Sequence, residues 1–204
     1  MKINISKSYY IYIVALISIL MLSLGDSFFN FVLSFDENIL LFLDNNQYPN
    51  LLNAMKFISF IGSSAFLVPA ISITVVLLIF RKKYREILMI ISASLGSLGI
   101  NSLLKNIIKR ERPVEFFKAI ETSYSFPSGH AMVAASLSFT IAYILTKNKS
   151  QASKKKAYII ASIYTVLMSF SRLYLGVHYP IDVIFGIFYG ITLFILIRDL
   201  FLKF

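Results

Sequence analysis

The sequence contains only two histidines, His130 and His178, and both lie beside other residues able to take part in chemistry. His178 precedes Asp182 by four residues, and Pro180 between them favours the first turn of a helix. Asp182 then lies in that turn, where its carboxylate can reach back to the ring of His178. Such a carboxylate fixes the tautomer of an imidazole and stabilises its charged form. An isolated membrane histidine is more often a hydrogen-bonding group between helices, so the pairing is the informative feature.

The second histidine ends the segment Phe-Pro-Ser-Gly-His, residues 126–130. Pro127 followed by Ser128 is ordinary chemistry for the start of a helix. A helix N-terminus that includes Gly129 also presents unpaired backbone N–H groups and the positive end of the helix dipole, which bind phosphate. The two interpretations are compatible, and we expect both a helix start and an anion site here.

Basic residues accompany the histidines. Arg172 precedes His178 by six residues, while Lys105 and Arg112 flank a short basic stretch whose other members, Lys109 and Arg110, we expect to extend along the interface. Two imidazoles and a carboxylate could also bind a metal. Three cations against one carboxylate would repel a divalent ion and hold a tetrahedral oxyanion instead. The residues therefore predict a phosphate site without a metal.

The composition indicates a membrane protein. The chain has 204 residues, of which 57% are hydrophobic and only 15% charged, and its mean hydropathy is +0.75. The net charge of +10 does not predict nucleic-acid binding, because the bases cluster between long apolar stretches rather than along one soluble surface. Disulfides and thiolate chemistry are excluded, since the chain has no cysteine.

Six stretches have about the length that a helix needs to cross the hydrocarbon core. They lie near residues 9–25, 57–80, 87–105, 128–146, 157–173 and 180–198. The first could instead be a signal peptide, because Lys2 and Lys7 precede an apolar run that ends in small residues. We predict an all-α integral membrane bundle of six transmembrane helices, with residues 1–204 forming a single domain.

The distribution of lysine and arginine predicts the orientation of these spans. Most of the bases lie in four segments: Lys2, Lys7, Arg81, Lys82, Lys83, Arg85, Lys147, Lys149, Lys154, Lys155, Lys156, Arg198 and Lys203. Residues 26–50 carry four acids and no base. Both termini are therefore predicted to be cytoplasmic, with loops at about 26–56, 106–127 and 174–179 on the extracytoplasmic side of a cell membrane.

Two further features concern packing. Gly186 and Gly190 form a small-xxx-small pair in the last span, which predicts a close approach to a neighbouring helix. Phenylalanines in the first outer loop are expected to pack at the interface, or else to shape an entrance for a lipid tail. These are Phe28, Phe29, Phe31 and Phe35.

Three spaced motifs resemble the signature of the type 2 phosphatidic acid phosphatase superfamily. In chain order they are Lys105-x6-Arg112-Pro113, Pro127-Ser128-Gly129-His130 and Ser171-Arg172-x5-His178-x3-Asp182. No motif position departs from the pattern. The resemblance implies a helical membrane enzyme with an extracytoplasmic site, whose relatives include bacterial phosphatidylglycerophosphate and undecaprenyl diphosphate phosphatases.

The resemblance also implies a role for each residue. His178 would attack phosphorus to give a phosphohistidine and Asp182 would orient it, while His130 would protonate the leaving group and then activate water. The phosphate would be held by Lys105, Arg112, Ser128, Gly129 and Arg172. No cofactor or metal is expected. The expected partners are an amphiphilic lipid phosphate or diphosphate and membrane lipids, without nucleic acid or an obligatory protein partner.

Two alternatives remain at this point. The same site could pass the phosphoryl group to another lipid rather than to water, which would make the protein a phosphotransferase. The charged residues could also line a path for an anion in a transporter, or belong to a scaffold, since buried charges in spans often mark such paths.

Overall fold

The computed structural model describes residues 26–202, so the predicted first span near residues 9–25 lies outside the described residues. Within 26–202 the fold is helical, with no strand and one short 3₁₀ turn at Val114–Phe116. Seven α-helices occur in this part of the chain: α1 Asp26–Asn45, α2 Pro49–Ile61, α3 Ser64–Phe80, α4 Tyr84–Ile108, α5 Gly129–Thr146, α6 Gln151–Tyr174 and α7 Pro180–Leu202.

Four helices in the described part, α4 to α7, are long and apolar enough to cross a membrane. They coincide with four of the predicted spans, and these predictions are confirmed as apolar helices. The predicted span near 57–80 is a pair of helices instead, α2 and α3, which meet at a bend of 44°. The bend falls between the two helices at Gly62 and Ser63, where Ser63 has an extended backbone. Counting this pair as one span gives five for residues 26–202.

The prediction of a loop at residues 26–56 is wrong, because most of this segment is helical. Buried side chains in α1 follow the helical period: Phe29, Asp36 and Leu40 face the bundle. Phe29 packs edge-on against Phe126, with 5.4 Å between ring centroids, so it belongs to the core rather than to the interface. Phe31, two residues along, is exposed.

Helix α5 is the centre of the bundle and packs against α4, α6 and α7. Its contact with α7 is close because Gly186 and Gly190 face its backbone. A Cβ at Gly186 would lie 2.6 Å from the carbonyl oxygen of Ser128, and one at Gly190 would overlap the carbonyl of Met132. The close approach predicted for the glycine pair is confirmed.

The end of α4, the start of α5, the end of α6 and the start of α7 bring the motif residues to one place. Helix α4 ends at Ile108, and Lys109 with φ of 52° turns the chain away from the helix axis. The loop that follows is closed by a 2.8 Å hydrogen bond from Ser125 N–H to the Arg110 carbonyl. Ser128 N–H donates to the Asp182 carbonyl at 2.9 Å, which joins the starts of α5 and α7.

Candidate active site

His178 lies in the turn between α6 and α7 and is 1% exposed. Gly176, with φ of +64°, makes this turn possible, because a Cβ there would strike the carbonyl of Phe116. Asp182 lies in the first turn of α7, and its Oδ2 is 3.5 Å from Nδ1 of His178. The predicted reach from Asp182 to His178 is therefore present.

The neighbours of His178 determine its tautomer. Nε2 is 3.3 Å from Nη1 of Arg112, and a guanidinium can only donate, so Nε2 carries the lone pair. The proton is then on Nδ1, facing Asp182. Burial has the largest effect on the ring and, with the charge of Arg112, outweighs the hydrogen bond to Asp182, lowering the pKa of His178 to about 4. The lowered pKa favours the neutral imidazole, whose Nε2 lone pair accepts from Arg112.

Asp182 is fully buried and accepts hydrogen bonds at both carboxylate oxygens. Oδ2 accepts a short bond from the Ser125 hydroxyl and a 3.0 Å bond from Tyr179 N–H. Oδ1 accepts from Nη1 of Arg110 at 2.6 Å. The carboxylate is therefore fixed from three directions before it meets His178.

The prediction that Arg110 extends along the membrane interface is wrong. Its side chain is 6% exposed and lies between two fully buried carboxylates, with Nη2 2.7 Å from Oδ2 of Asp36 and Nη1 bound to Asp182. Two opposite charges within hydrogen-bonding distance outweigh the attraction of water for this guanidinium. Lys109, for which the same expectation was made, is exposed.

Arg112 is held in the loop between α4 and α5 by backbone carbonyls. Its Nε donates to the Ser123 carbonyl and its Nη1 to the Val177 carbonyl, each at 2.5 Å. Lys105 approaches the same loop from the last turn of α4, with Nζ 2.8 Å from the Ser123 hydroxyl. Both cations therefore lie at the end of α4 nearest to His178.

Arg172 is buried near the end of α6 and makes short hydrogen bonds to the Ser59 hydroxyl and to Glu121. Glu121 also faces Arg112, with 3.7 Å between Oε2 and Nη2. Burial raises the pKa of Glu121, but the charges of Arg172 and Arg112 outweigh burial and hold it below its usual range. An ionised carboxylate therefore bridges two of the three predicted phosphate-binding cations.

His130 and His178 line one cavity of about 620 Å³. Gly129 and Lys105 also line it. Ser128 is fully buried and lies outside the cavity wall, and its hydroxyl has no hydrogen-bond partner within the described residues.

The cavity has a polar end and an apolar end. The polar end consists of Lys105, Arg112, Glu121, Ser123, His130 and His178. Most of the remaining wall is made by aliphatic side chains of α3 and α4, with Ser94 among them: Leu67, Val68, Ile71, Ile91, Leu95 and Leu98. A ligand that matches this shape has an anionic head and an apolar tail.

Four residues near the histidines were missed from the sequence: Asp36, Arg110, Glu121 and Ser125. Arg110, Glu121 and Ser125 each contact a motif residue, and Asp36 binds Arg110. Only their positions in the fold identify them. Among residues 26–202, no group of three His, Asp or Glu side chains is arranged to hold a metal ion. That the reaction proceeds without a metal stays a prediction.

The chain matches a family model and is similar in sequence to known phosphatases. The family model of the PAP2 superfamily matches residues 86–204. Phosphatidylglycerophosphatase B of Bacillus subtilis strain 168 is 40% identical over 156 residues, which cover 74% of this chain and 76% of that protein. Undecaprenyl-diphosphatase of Sulfolobus acidocaldarius is 30% identical over 160 residues, covering 76% and 72%. The residues matched by the family model, 86–204, span the positions of all three motifs.

The fold has a similar counterpart among solved structures. The crystal structure of a transmembrane PAP2 type phosphatidylglycerolphosphate phosphatase from Bacillus subtilis matches with a TM-score of 0.84 at 33% identity. The match covers 97% of this chain and 96% of that one.

Proposed function

This chain belongs to the PAP2 superfamily of membrane lipid phosphatases, and we propose that it hydrolyses a phosphomonoester or diphosphate of a membrane lipid, of the phosphatidylglycerophosphate or undecaprenyl diphosphate class. The observation that carries the proposal is the His178–Asp182 pair opening on a cavity that is cationic at one end and apolar at the other. The names of the similar proteins from Bacillus and Sulfolobus support the two substrate classes.

In the first step, Nε2 of His178 attacks phosphorus. The N–P bond forms as the bond from phosphorus to the leaving oxygen breaks, which gives a phosphohistidine. Attack requires a neutral ring, and the lowered pKa of His178 provides one. Asp182, which faces Nδ1, stabilises the positive charge that develops on the imidazole.

Charge on the transferring group is neutralised by Lys105, Arg112 and Arg172. Nε of Arg172 and the hydroxyl of Ser128 are buried donors without a partner in the described part of the chain. Neither residue lines the cavity, so a bound phosphate would reach these donors only after a local shift of side chains. The backbone N–H of Gly129, which lines the cavity at the start of α5, is a donor at the wall itself.

His130 acts on the leaving group, since it lines the same cavity as His178. It donates a proton to the departing oxygen in the first step and takes one from water in the second. That water attacks phosphorus, the N–P bond breaks, and inorganic phosphate leaves with His178 restored as a neutral imidazole.

The lipid tail is held by the apolar end of the cavity, between α3 and α4. None of the α3 side chains is buried, so this helix packs loosely beside α4 and leaves the groove open toward the lipid. A water-soluble phosphate would gain little from this surface, whereas a membrane lipid can keep its tail in apolar surroundings while its phosphate reaches the histidines.

We propose six membrane spans with both termini cytoplasmic and the site extracytoplasmic, as the positive-inside rule predicts. The chain has no cysteine, which permits single-cysteine mapping. Ile120→Cys, in the exposed loop before α5, should react with a membrane-impermeant maleimide on intact cells. Lys149→Cys should react only after permeabilisation, and the opposite pattern would reverse the orientation.

Phosphate release from a panel of lipid monophosphates and diphosphates tests the function. The purified protein should release phosphate in EDTA, and His178→Ala should lower the rate by several orders of magnitude. Loss of activity in EDTA would contradict the metal-free mechanism. Phosphate passed to an added acceptor lipid, without release, would identify a phosphotransferase. Neither release nor transfer from any lipid would contradict an enzymatic role.

A further inference from the structure

We propose that Arg110 is a positioning residue for the reaction, which fixes Asp182 and, through it, the ring of His178, and that Asp36 of α1 holds Arg110 in place. The inference rests on the proposed function, because it assigns Arg110 a part in the same phosphoryl transfer. Arg110 does not face the cavity, so its effect on the reaction would be indirect.

Arg110, Asp36 and Asp182 form a row of three buried charged side chains, with Arg110 between the two carboxylates. Nη1 of Arg110 lies 2.6 Å from Oδ1 of Asp182, and Nη2 lies 2.7 Å from Oδ2 of Asp36. The rings of Phe29 and Tyr179 flank the guanidinium, with its central carbon 4.6 and 4.1 Å from their centroids. Ion pairs and aromatic rings together leave the guanidinium a single orientation.

This orientation determines which oxygen of Asp182 is available to His178. Arg110 occupies Oδ1, so Oδ2 is the oxygen that faces Nδ1 of the imidazole and accepts from Ser125. Without Arg110 the carboxylate would be held at Oδ2 only, and two buried acids would lie near each other without a cation between them. The imidazole would then lose the fixed acceptor that keeps its proton on Nδ1.

Asp36 also ties α1 to the helix that carries the acid. Its Oδ1 accepts the backbone N–H of Ile181 at 3.0 Å, while its Oδ2 binds Arg110. The first described helix is thus attached both to Arg110 and to the start of α7. We infer that α1 supports the active site rather than only covering the bundle.

A buried ion pair with a purely structural role would behave differently. Replacing both partners of such a pair by neutral residues is often harmless to folding, whereas removing one leaves an unpaired buried charge. A double substitution therefore separates the two roles, since it can restore folding but cannot restore the contact from Arg110 to Asp182.

The experiment compares Arg110→Gln, Asp36→Asn and the double variant, using the full-length protein in detergent and phosphatidylglycerophosphate as the substrate. The control is Lys109→Asn, which removes a neighbouring exposed charge at a left-handed position that asparagine tolerates. Measurements are kcat, KM and thermal unfolding. Arg110→Gln should lower kcat about a hundredfold, as a displaced catalytic group does, with KM changed less than about threefold.

The double variant should unfold near the wild-type temperature and keep the low kcat. Recovery of kcat together with stability would overturn the inference, because the pair would then be structural only. Wild-type kcat in Arg110→Gln would overturn it equally. Should the single variants not fold, the double variant alone decides. His178→Ala in the same assay separates this inference from the proposed function: activity without His178 contradicts the function itself, whatever Arg110 does.

Discussion

Replacing Arg112 by lysine tests the phosphate-binding geometry without changing the charge. In the structure Nη1 lies 3.3 Å from Nε2 of His178 and 2.5 Å from the Val177 carbonyl, while Nε donates to the Ser123 carbonyl at 2.5 Å. An ammonium is a point charge on a flexible stem and cannot make these contacts and bind two phosphate oxygens together. We therefore expect Arg112→Lys to fail although the cluster keeps its charge.

The expected loss follows from the contacts. If two charge-assisted hydrogen bonds are absent in the transition state, each contributing about 1.5 kcal/mol, the barrier rises by about 3 kcal/mol. That corresponds to a decrease in kcat/KM on the order of a hundredfold. Removing the charge altogether should cost more, so Arg112→Gln should be slower than Arg112→Lys.

The assay is the initial rate of inorganic phosphate release from phosphatidylglycerophosphate in mixed micelles. The matched control is Arg81→Lys, which makes the same chemical change at an exposed position at the end of α3 and should retain the wild-type rate. The reasoning would be refuted if Arg112→Lys stayed within about threefold of the wild type, because the planar fork would then contribute little.

Three further predictions follow. In a His130→Asn variant without a histidine tag, His178 is the only histidine. Its nitrogen-15 NMR signals should not titrate between pH 5 and 8, because burial favours the neutral ring. A titration midpoint near pH 6.5 would contradict this prediction. Gly190→Ala should lower the unfolding free energy by about 1–3 kcal/mol in thermal unfolding, because its methyl group meets a carbonyl of α5. Gly99→Ala, with open space around it, should not. Ser94→Leu narrows the apolar part of the cavity, so it should raise KM about tenfold for a long-chain lipid phosphate and change KM little for a short-chain one. An equal change of KM for both lipids would show that the tail binds elsewhere.

The helices could be predicted from the sequence wherever a whole span is apolar. The stretches that became α4 to α7 are long enough and apolar enough to be identified alone. The segment containing α1 was not, since it was predicted as an extracytoplasmic loop with four acids, no base and phenylalanines at the interface. Its buried face follows a helical period, with Phe29 and Asp36 seven residues apart and Leu40 four further on. That period was available in the sequence and was overlooked.

The candidate site was predictable to the extent that its residues lie in spaced motifs. His130 and His178 were expected in one place, and both line the same cavity. Arg110 was misinterpreted because local sequence cannot show that two carboxylates from distant helices meet beside it. Glu121 gave no signal either, since its meaning depends on Arg172, which lies 51 residues later in the chain. Pairings of this kind exist only in the folded protein.

The identity of the phosphorylated residue tests the central claim most directly. Protein incubated briefly with a radiolabelled lipid phosphate and quenched in alkali, which preserves phosphohistidine, can be digested and its labelled peptide sequenced. The account predicts label on His178, none in His178→Ala, and hydrolysis abolished in that variant. Label on another residue, or phosphate released by His178→Ala at a rate near the wild type, would contradict it.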